Sequence, residues 1–341
     1  MSGNLSLDDL LQSLSHEGER DSSGQFTLDI EKAVEKVRNF QLADPYQYCL
    51  RWLQAAVVGQ ARLLQWRSTP LSVSCLIEGM NLPSHRIALL PGLLFESGAS
   101  PAERHLSAGL NAVIKTRARA VHLTSGMLKG TWRPGGYQQV ELDKPFTSVH
   151  LEIERSGGDI LSQLWHAANH YHIGSRSGSP NARDREQSLL HSQGACAPLE
   201  LDIQDFAPDW QLTYQEPFSL WRSLTTFSVL PETPFRQEKW EPAQKGQIGF
   251  HYRRNILRTG RKRELISIRL YILYPRYPHQ CSFLYPIKDG VLLPTMKILE
   301  GRAGAIFLAD VSSLHTDLTG LTLVQDQLYQ QLLKELEGYL V

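Results

Sequence analysis

Apolar residues recur at Ala33, Val34, Val37 and Phe40, the spacing of one helical face. The run Thr27-Leu28-Asp29-Ile30-Glu31 precedes them and brings early acids to the positive end of a helix dipole. Asp44-Pro45 opens a second helix, with proline at the first turn, where its missing N–H costs nothing. The body of that helix, 46–59, is apolar on most sides, which predicts a buried element. Strand-like runs at 61–66 and 71–77 follow, split by a Ser-Thr-Pro break and closed by Glu78-Gly79-Met80-Asn81. The pattern then predicts a helix over 101–116, strands at 120–124, 127–133, 138–142 and 148–153, and a helix over 159–171. Trp132-Arg133-Pro134-Gly135-Gly136 reads as a turn between two of these strands.

From Ser175 the composition shifts to Ser, Gly, Pro and charge, and 175–198 reads as a flexible linker or insertion. Beyond it, strands are expected at 249–257, 264–274, 281–287, 291–293 and 305–308. A last helix over 325–340 carries Leu328, Leu332, Leu336 and Leu340 at intervals of four. Residues 1–25 end in a polar run and read as a mobile lead-in. The fold class is therefore α+β, with domains over 26–174 and 199–341, each a sheet covered by helices. A length of 341 residues suits two domains.

Composition narrows the function. Lys+Arg and Asp+Glu are both 35, so the net charge is zero, which argues against a surface that coats nucleic acid or anionic membrane throughout. Cys49, Cys75, Cys196 and Cys281 lie far apart, which excludes a C-x-x-C zinc site or a dense disulfide framework and predicts reduced thiols. Met1 to Leu11 has neither the basic region nor the apolar stretch of a signal peptide, and no run approaches the ~18 apolar residues of a membrane span. The expectation is a soluble, cytoplasmic protein without a membrane partner.

Four segments carry a resemblance. Leu50-Arg51-Trp52-Leu53-Gln54-Ala55-Ala56-Val57-Val58-Gly59 is similar to a helix of the form E-L-I-Q-N-A-x-D-A, and Ile77-Glu78-Gly79-Met80-Asn81 stands where a D-x-G-x-G loop would. The run from Ala108-Gly109-Leu110-Asn111-Ala112 through Val121-His122-Leu123-Thr124-Ser125 resembles a glycine-led helix and following strand, and Phe146-Thr147-Ser148-Val149-His150-Leu151 a G-T-x-V-x-L strand. Together they resemble the GHKL ATPases, the superfamily of gyrase, MutL, histidine kinases and the heat-shock-ninety chaperones. The order of elements after residue 159 is similar to the passage from nucleotide domain to middle domain in the chaperone branch.

That resemblance implies an α/β sandwich with a nucleotide pocket around Glu78, Gly79, Gly109 and Thr147. It also places the family's catalytic glutamate on Arg51 and its magnesium-binding asparagine on Ala55, with Val58 at the next polar position. An arginine is always protonated and cannot act as a base, and Ala and Val offer no oxygen to a hard cation. The implied protein is a pseudo-ATPase without catalytic or metal residues, an interaction or regulatory module with protein partners. Its expected cofactor is none, or ATP or ADP held without magnesium. One alternative is a chaperone-like ATPase whose base is Glu78 or Glu103. Another is nucleic-acid contact through a β-hairpin within 252–263, whose turn Thr259-Gly260 presents Arg258, Arg261, Lys262 and Arg263.

Other constellations read as structural. His166 and His170 share a helical face with His172 nearby, but Ala167 stands where a zinc helix has glutamate, and the three are expected to pack at a helix end rather than bind metal. Ser107 and Ser125 have no histidine and acid at motif spacing and no G-x-S-x-G elbow. His315-Thr316-Asp317-Leu318-Thr319-Gly320 is expected to supply a turn and capping groups for the last helix.

Overall fold

The computed structural model describes residues 44–69, 71–115, 118–155, 182–194, 196–203, 225–229, 250–251, 256–257, 270–274, 281–300, 305–317 and 319–338. The lead-in 1–25 and the helices expected over 26–40 and 159–171 lie outside these residues, as do His166, His170 and His172. The described residues fall into two units. One draws on 44–191 and 199–203, the other on 192–198 and 225–338.

In the first unit Asp44 caps a short 3-10 turn, Pro45–Gln47, its carboxylate accepting from the Tyr46 N–H at 3.0 Å. Helix α1, Tyr48–Val58, follows and is buried from Tyr48 through Ala56, Arg51 and Gln54 included, in keeping with a helix that is apolar on most sides. The helix ends in a reversal in which the Ala61 N–H bonds back to Ala56 O at 2.8 Å and Gln60 takes the left-handed conformation, φ 57°. Gly59 serves close approach instead, because a Cβ there would lie 3.0 Å from the Met80 sulfur.

Strands β1 (Leu63–Ser68) and β2 (Ser72–Glu78) pair antiparallel, with Leu63 opposite Glu78. A short helix α2, Ser84–Ile87, and a 3-10 turn, Leu90–Gly92, lead to α3, Pro101–Lys115. Ser100 and Glu103 form a reciprocal capping box at its start: the Glu103 N–H donates to Ser100 Oγ at 3.2 Å and the Ser100 N–H to Glu103 Oε2 at 2.7 Å.

Strands β3 (Ala118–Arg133) and β4 (Gly136–Arg155) run on where four short strands are expected. Pro134-Gly135 turns between them, as the sequence predicts, with Arg133 opposite Gly136. Register shifts flank Gly126, which adopts φ +57°. The side chains of Thr131 and His122 meet at 2.9 Å, although nine extended residues would span roughly 30 Å. The ribbon therefore bends at Gly126 and folds its outer arm back over its own sheet. Ser84 pins the bend, its Oγ accepting from the Met127 N–H at 3.1 Å and donating to Ser125 O at 3.4 Å.

The stretch expected as a linker holds a helix instead: α4, Ala182–Gln193. Strand β5, Glu200–Ile203, which the domain boundary at 199 assigned to the second half, pairs parallel with β1, Leu63 opposite Glu200. It completes a five-stranded sheet of order β3-β4-β2-β1-β5. The unit's core joins α1 and α3 to the alternating inward residues of this sheet: Leu64, Trp66, Val73, Cys75, Ile77, Val149, Leu151 and Ile153.

In the second unit β6 (Thr225–Val229), β9 (Leu270–Tyr274), β10 (Ser282–Lys288), β11 (Val291–Leu292), β12 (Met296–Ile298) and β13 (Ile306–Asp310) form a mixed sheet of order β11-β10-β13-β9-β6, with β12 on β10. A separate pair joins β7 (Phe250–His251) to β8 (Ile256–Leu257). Asp289 (φ 51°) and Gly290 (φ 79°) turn β10 into β11, the two left-handed positions of a tight hairpin. Asp326 caps α5, Gln327–Glu337, accepting from the Tyr329 N–H at 3.0 Å, and His315 Nδ1 holds its other oxygen at 2.6 Å. The turn expected at 315–320 is present, the Gly320 N–H donating to Asp317 O at 2.9 Å, whereas the helix cap is Asp326, outside that segment, which His315 only supports. The buried seam of α5 is displaced from the leucine row: Tyr329 and Leu336 are buried, whereas Leu328 is 38% exposed.

Candidate functional site

The segments of the resemblance occupy α1, the end of β2, α3 and the inner part of β4. On α1, Arg51 is buried and donates from Nη1 to Gln54 Oε1 at 2.8 Å, and Ala55 is fully buried. Val58 is half-buried. Gly109 lies where α3 meets α1. A Cβ there would fall 2.5 Å from Cδ1 of Trp52, closer still to its Nε1, and 3.3 Å from Tyr48 O. The room beside Gly109 is filled by an indole. Trp52 is itself fully buried and packs edge-to-face on Tyr48 at 5.1 Å and tilted against Trp66 at 6.1 Å between ring centroids. A ring of that size hides roughly 150–250 Å², worth about 4–6 kcal/mol at 25 cal/mol per Å².

Glu78 and Thr147 stand at the same end of the paired strands, just beyond Ile77 opposite Val149. Glu78 is engaged by Arg62 across the β1–β2 ladder, and Thr147 is exposed. Gly79 adopts φ +87°, which favours glycine, and a Cβ there would lie 3.2 Å from the Arg62 backbone nitrogen. Glu103, the other candidate base, is occupied by its capping box and by Arg86, whose Nε donates to it at 2.7 Å. Burial alone would raise the Glu103 pKa. The bonds from Arg86 and Ser100 outweigh it and hold the carboxyl below its ordinary range, which makes it a poor proton acceptor.

A buried polar centre lies at the edge of the same aromatic cluster. Glu186 of α4, almost wholly buried, accepts from the Tyr48 hydroxyl on Oε1, and on Oε2 from Ser68 Oγ at 3.1 Å and Arg155 Nη2 at 2.8 Å. Arg155 also donates to Ser68 Oγ at 2.9 Å. Burial pushes the Glu186 carboxyl up, against the pull of Arg155 and the two hydroxyls. Burial first and the neighbouring carboxylate second push the Tyr48 hydroxyl well above its usual range. Four elements, α1, β1, β4 and α4, meet on one carboxylate, and sequence reasoning missed it because Glu186 sits in a stretch that reads as linker.

The other face of β3 and β4 carries a second set of polar contacts. His122 Nδ1 meets Thr131 Oγ1 at 2.9 Å and its Nε2 meets Glu154 Oε1 at 3.1 Å. His150 Nε2 meets Ser74 Oγ at 2.8 Å, and Lys129 Nζ reaches Glu152 at 3.2 Å. Burial holds the His150 pKa down, with Lys129 aiding and Glu152 opposing.

In the second unit an apolar cleft of about 460 Å³ is lined by Pro286, Leu293, Pro294, Met296, Leu323 and Val324. Arg258, Arg261, Lys262 and Arg263 lie outside the described residues. The described partner of Ile256–Leu257 is Phe250–His251, on the N-terminal side of the expected Thr259-Gly260 turn. Among the described residues no group of His, Cys, Asp and Glu is placed to hold a metal ion, and no helix is long and apolar enough to cross a membrane. All four cysteines are unpaired, and burial pushes the Cys196 thiol up to about 12.

Comparison with solved structures adds a likeness. The chain is similar to the ATPase region of Saccharomyces cerevisiae topoisomerase II, with a TM-score of 0.46 and 6% identity, over 82% of this chain and 76% of that one. No family model matches the sequence. No curated protein matches it either.

Proposed function

We propose that the first unit is a GHKL-like domain that has lost ATP turnover and now serves as a platform for protein partners. The observation that carries this reading is the seating of Trp52 against Gly109. In the resemblance Gly109 belongs to the segment that cradles phosphate, and a fully buried indole takes that space. Three further features support it. Arg51 is a permanent cation turned to Gln54, Ala55 offers no metal ligand, and neither alternative acid is free, since Glu78 pairs with Arg62 and Glu103 with Arg86.

What remains is a rigid α+β body whose polar investment goes into its own fold. A domain whose catalytic groups are replaced keeps the shape that partners recognise. The test is phosphate release from ATP by the full chain, with nucleotide titrations in the presence and absence of Mg²⁺. No release and no magnesium-dependent binding are expected. Turnover abolished by Glu78→Gln or Glu103→Gln in a folded protein would replace this reading with the ATPase alternative.

A further inference from the structure

Thr131, His122 and Glu154 form a hydroxyl–imidazole–carboxylate chain that neither the resemblance nor the proposed platform role uses. The two contacts fall on different ring nitrogens, Thr131 on Nδ1 at 2.9 Å and Glu154 on Nε2 at 3.1 Å. A carboxylate only accepts, so in the neutral ring the proton sits on Nε2 and the Nδ1 lone pair faces the threonine hydroxyl. That is the division of labour in which an acid orients an imidazole and the imidazole takes a proton from a nucleophile. The His122 side chain is 10% exposed and so held in place, whereas Thr131 is half-buried.

The hydrogen bond to His122 lowers the Glu154 pKa, and Arg119 and Arg133 add to the effect, so Glu154 remains an acceptor through neutral pH. Lys129 and Glu152 pair in the neighbouring row and neutralise each other. Thr131 and His122 lie nine residues apart on one strand and meet only because the ribbon folds back at Gly126.

We propose that Thr131 is a nucleophile for acyl transfer from activated esters, with His122 as its general base and Glu154 as the residue that positions His122. In the forward step the Thr131 Oγ–H proton passes to His122 Nδ1 as Oγ bonds to the acyl carbon. The bond from that carbon to the leaving oxygen breaks, and the leaving group either departs as the alcohol with the proton from Nδ1 or departs as an aryloxide such as p-nitrophenolate, after which Nδ1 gives its proton to solvent water. Water reverses the sequence: its proton goes to Nδ1, its oxygen bonds to the acyl carbon, and Thr131 Oγ leaves with the proton.

The probe is p-nitrophenyl acetate on the full chain, read by release of p-nitrophenolate and by peptide mass spectrometry. One acetyl group on Thr131 is expected, lost in Thr131→Ala and retained in Thr131→Ser. His122→Gln should slow the labelling by about 100-fold or more, the usual contribution of a general base. Glu154→Gln, a milder change at a 45% exposed side chain, should slow it in the same direction and keeps the test open if His122→Gln misfolds. Absence of acetyl on Thr131 in a folded wild-type protein, with p-nitrophenolate release no faster than in Thr131→Ala, overturns the proposal. So does labelling that neither His122→Gln nor Glu154→Gln slows, which would leave the chain as a hydrogen bond that fastens the folded-back arm.

Discussion

Replacing Gly109 by alanine tests the packing on which the functional reading stands. Alanine inside a helix is worth about 1 kcal/mol more than glycine, so at an open position the change would stabilise the protein. Here the new methyl would sit 2.5 Å from Cδ1 of Trp52, which is fully buried and has nowhere to move. Overpacking of that kind costs about 1–3 kcal/mol. The net expectation is therefore a loss of up to about 2 kcal/mol, against a gain of about 1 if Gly109 faced an empty cradle. Trp52→Phe removes the indole Nε1, the atom nearest the methyl, and with it a buried N–H that has no hydrogen-bond partner among the described residues. The double mutant should recover most of the loss, with a coupling of about 1–3 kcal/mol between the positions. Urea unfolding of the wild type, both single variants and the double variant, followed by far-UV circular dichroism, gives the number. Additive effects within about 0.5 kcal/mol, or a stabilising Gly109→Ala, would refute the reasoning.

Other perturbations bear on neighbouring parts of the structure. Glu186→Gln leaves the Arg155 cation buried without its counter-charge and should cost about 3–5 kcal/mol in urea unfolding, whereas replacing both by apolar residues should cost much less than the sum. Equal losses for the double and the summed singles would count against the buried pair. Glu103→Gln should lose about 1 kcal/mol at pH 7 through the capping box and Arg86. Because the folded-state pKa of Glu103 is depressed, that difference is fully present above the ordinary value of 4.5 and should shrink as pH falls below it, in thermal melts of both proteins across that range. A difference that grows towards acid would reverse the assignment. Gly126→Ala puts a methyl onto Ser84 Oγ at a left-handed backbone position, φ +57°, and should destabilise by about 1–3 kcal/mol. Ser84→Gly in the same chain should relieve the collision but not the backbone strain, so full recovery would show the strain to be absent.

The parts legible in the sequence are those whose burial is apolar and periodic. The helix 46–59, the strands around Trp66 and Cys75 and the helix from Pro101 announce themselves because each buries a continuous hydrophobic face. The stretch 182–193 hides its helix because its inward face presents Glu186 and Gln187 beside Leu190, and a hydrophobicity pattern counts buried carboxylates as surface. The two long strands read as four because the pattern loses phase where Gly126 bends the ribbon and where the arm is exposed on most of its residues. The leucine row of the last helix misplaces its seam because Tyr329, an aromatic residue with a polar tip, takes the inward position.

The candidate site divides the same way. That Arg51 and Ala55 stand at the positions the resemblance gives to acid and amide can be read directly, but the role of Trp52 cannot, since only the crossing of two helices brings it onto Gly109. The polar chain of Thr131, His122 and Glu154 is equally invisible to spacing, because a fold-back rather than a motif assembles it. The four elements gathered on Glu186 are likewise hidden, because its partners Tyr48, Ser68 and Arg155 are spread widely over the sequence.

The most direct measurement is a crystal structure of the full chain grown with ATP and Mg²⁺. The account predicts the Trp52 indole in place against Gly109, with no triphosphate or magnesium beside Arg51 and Ala55. A triphosphate seated at Gly109 with its metal, and Trp52 swung aside to admit it, would contradict it.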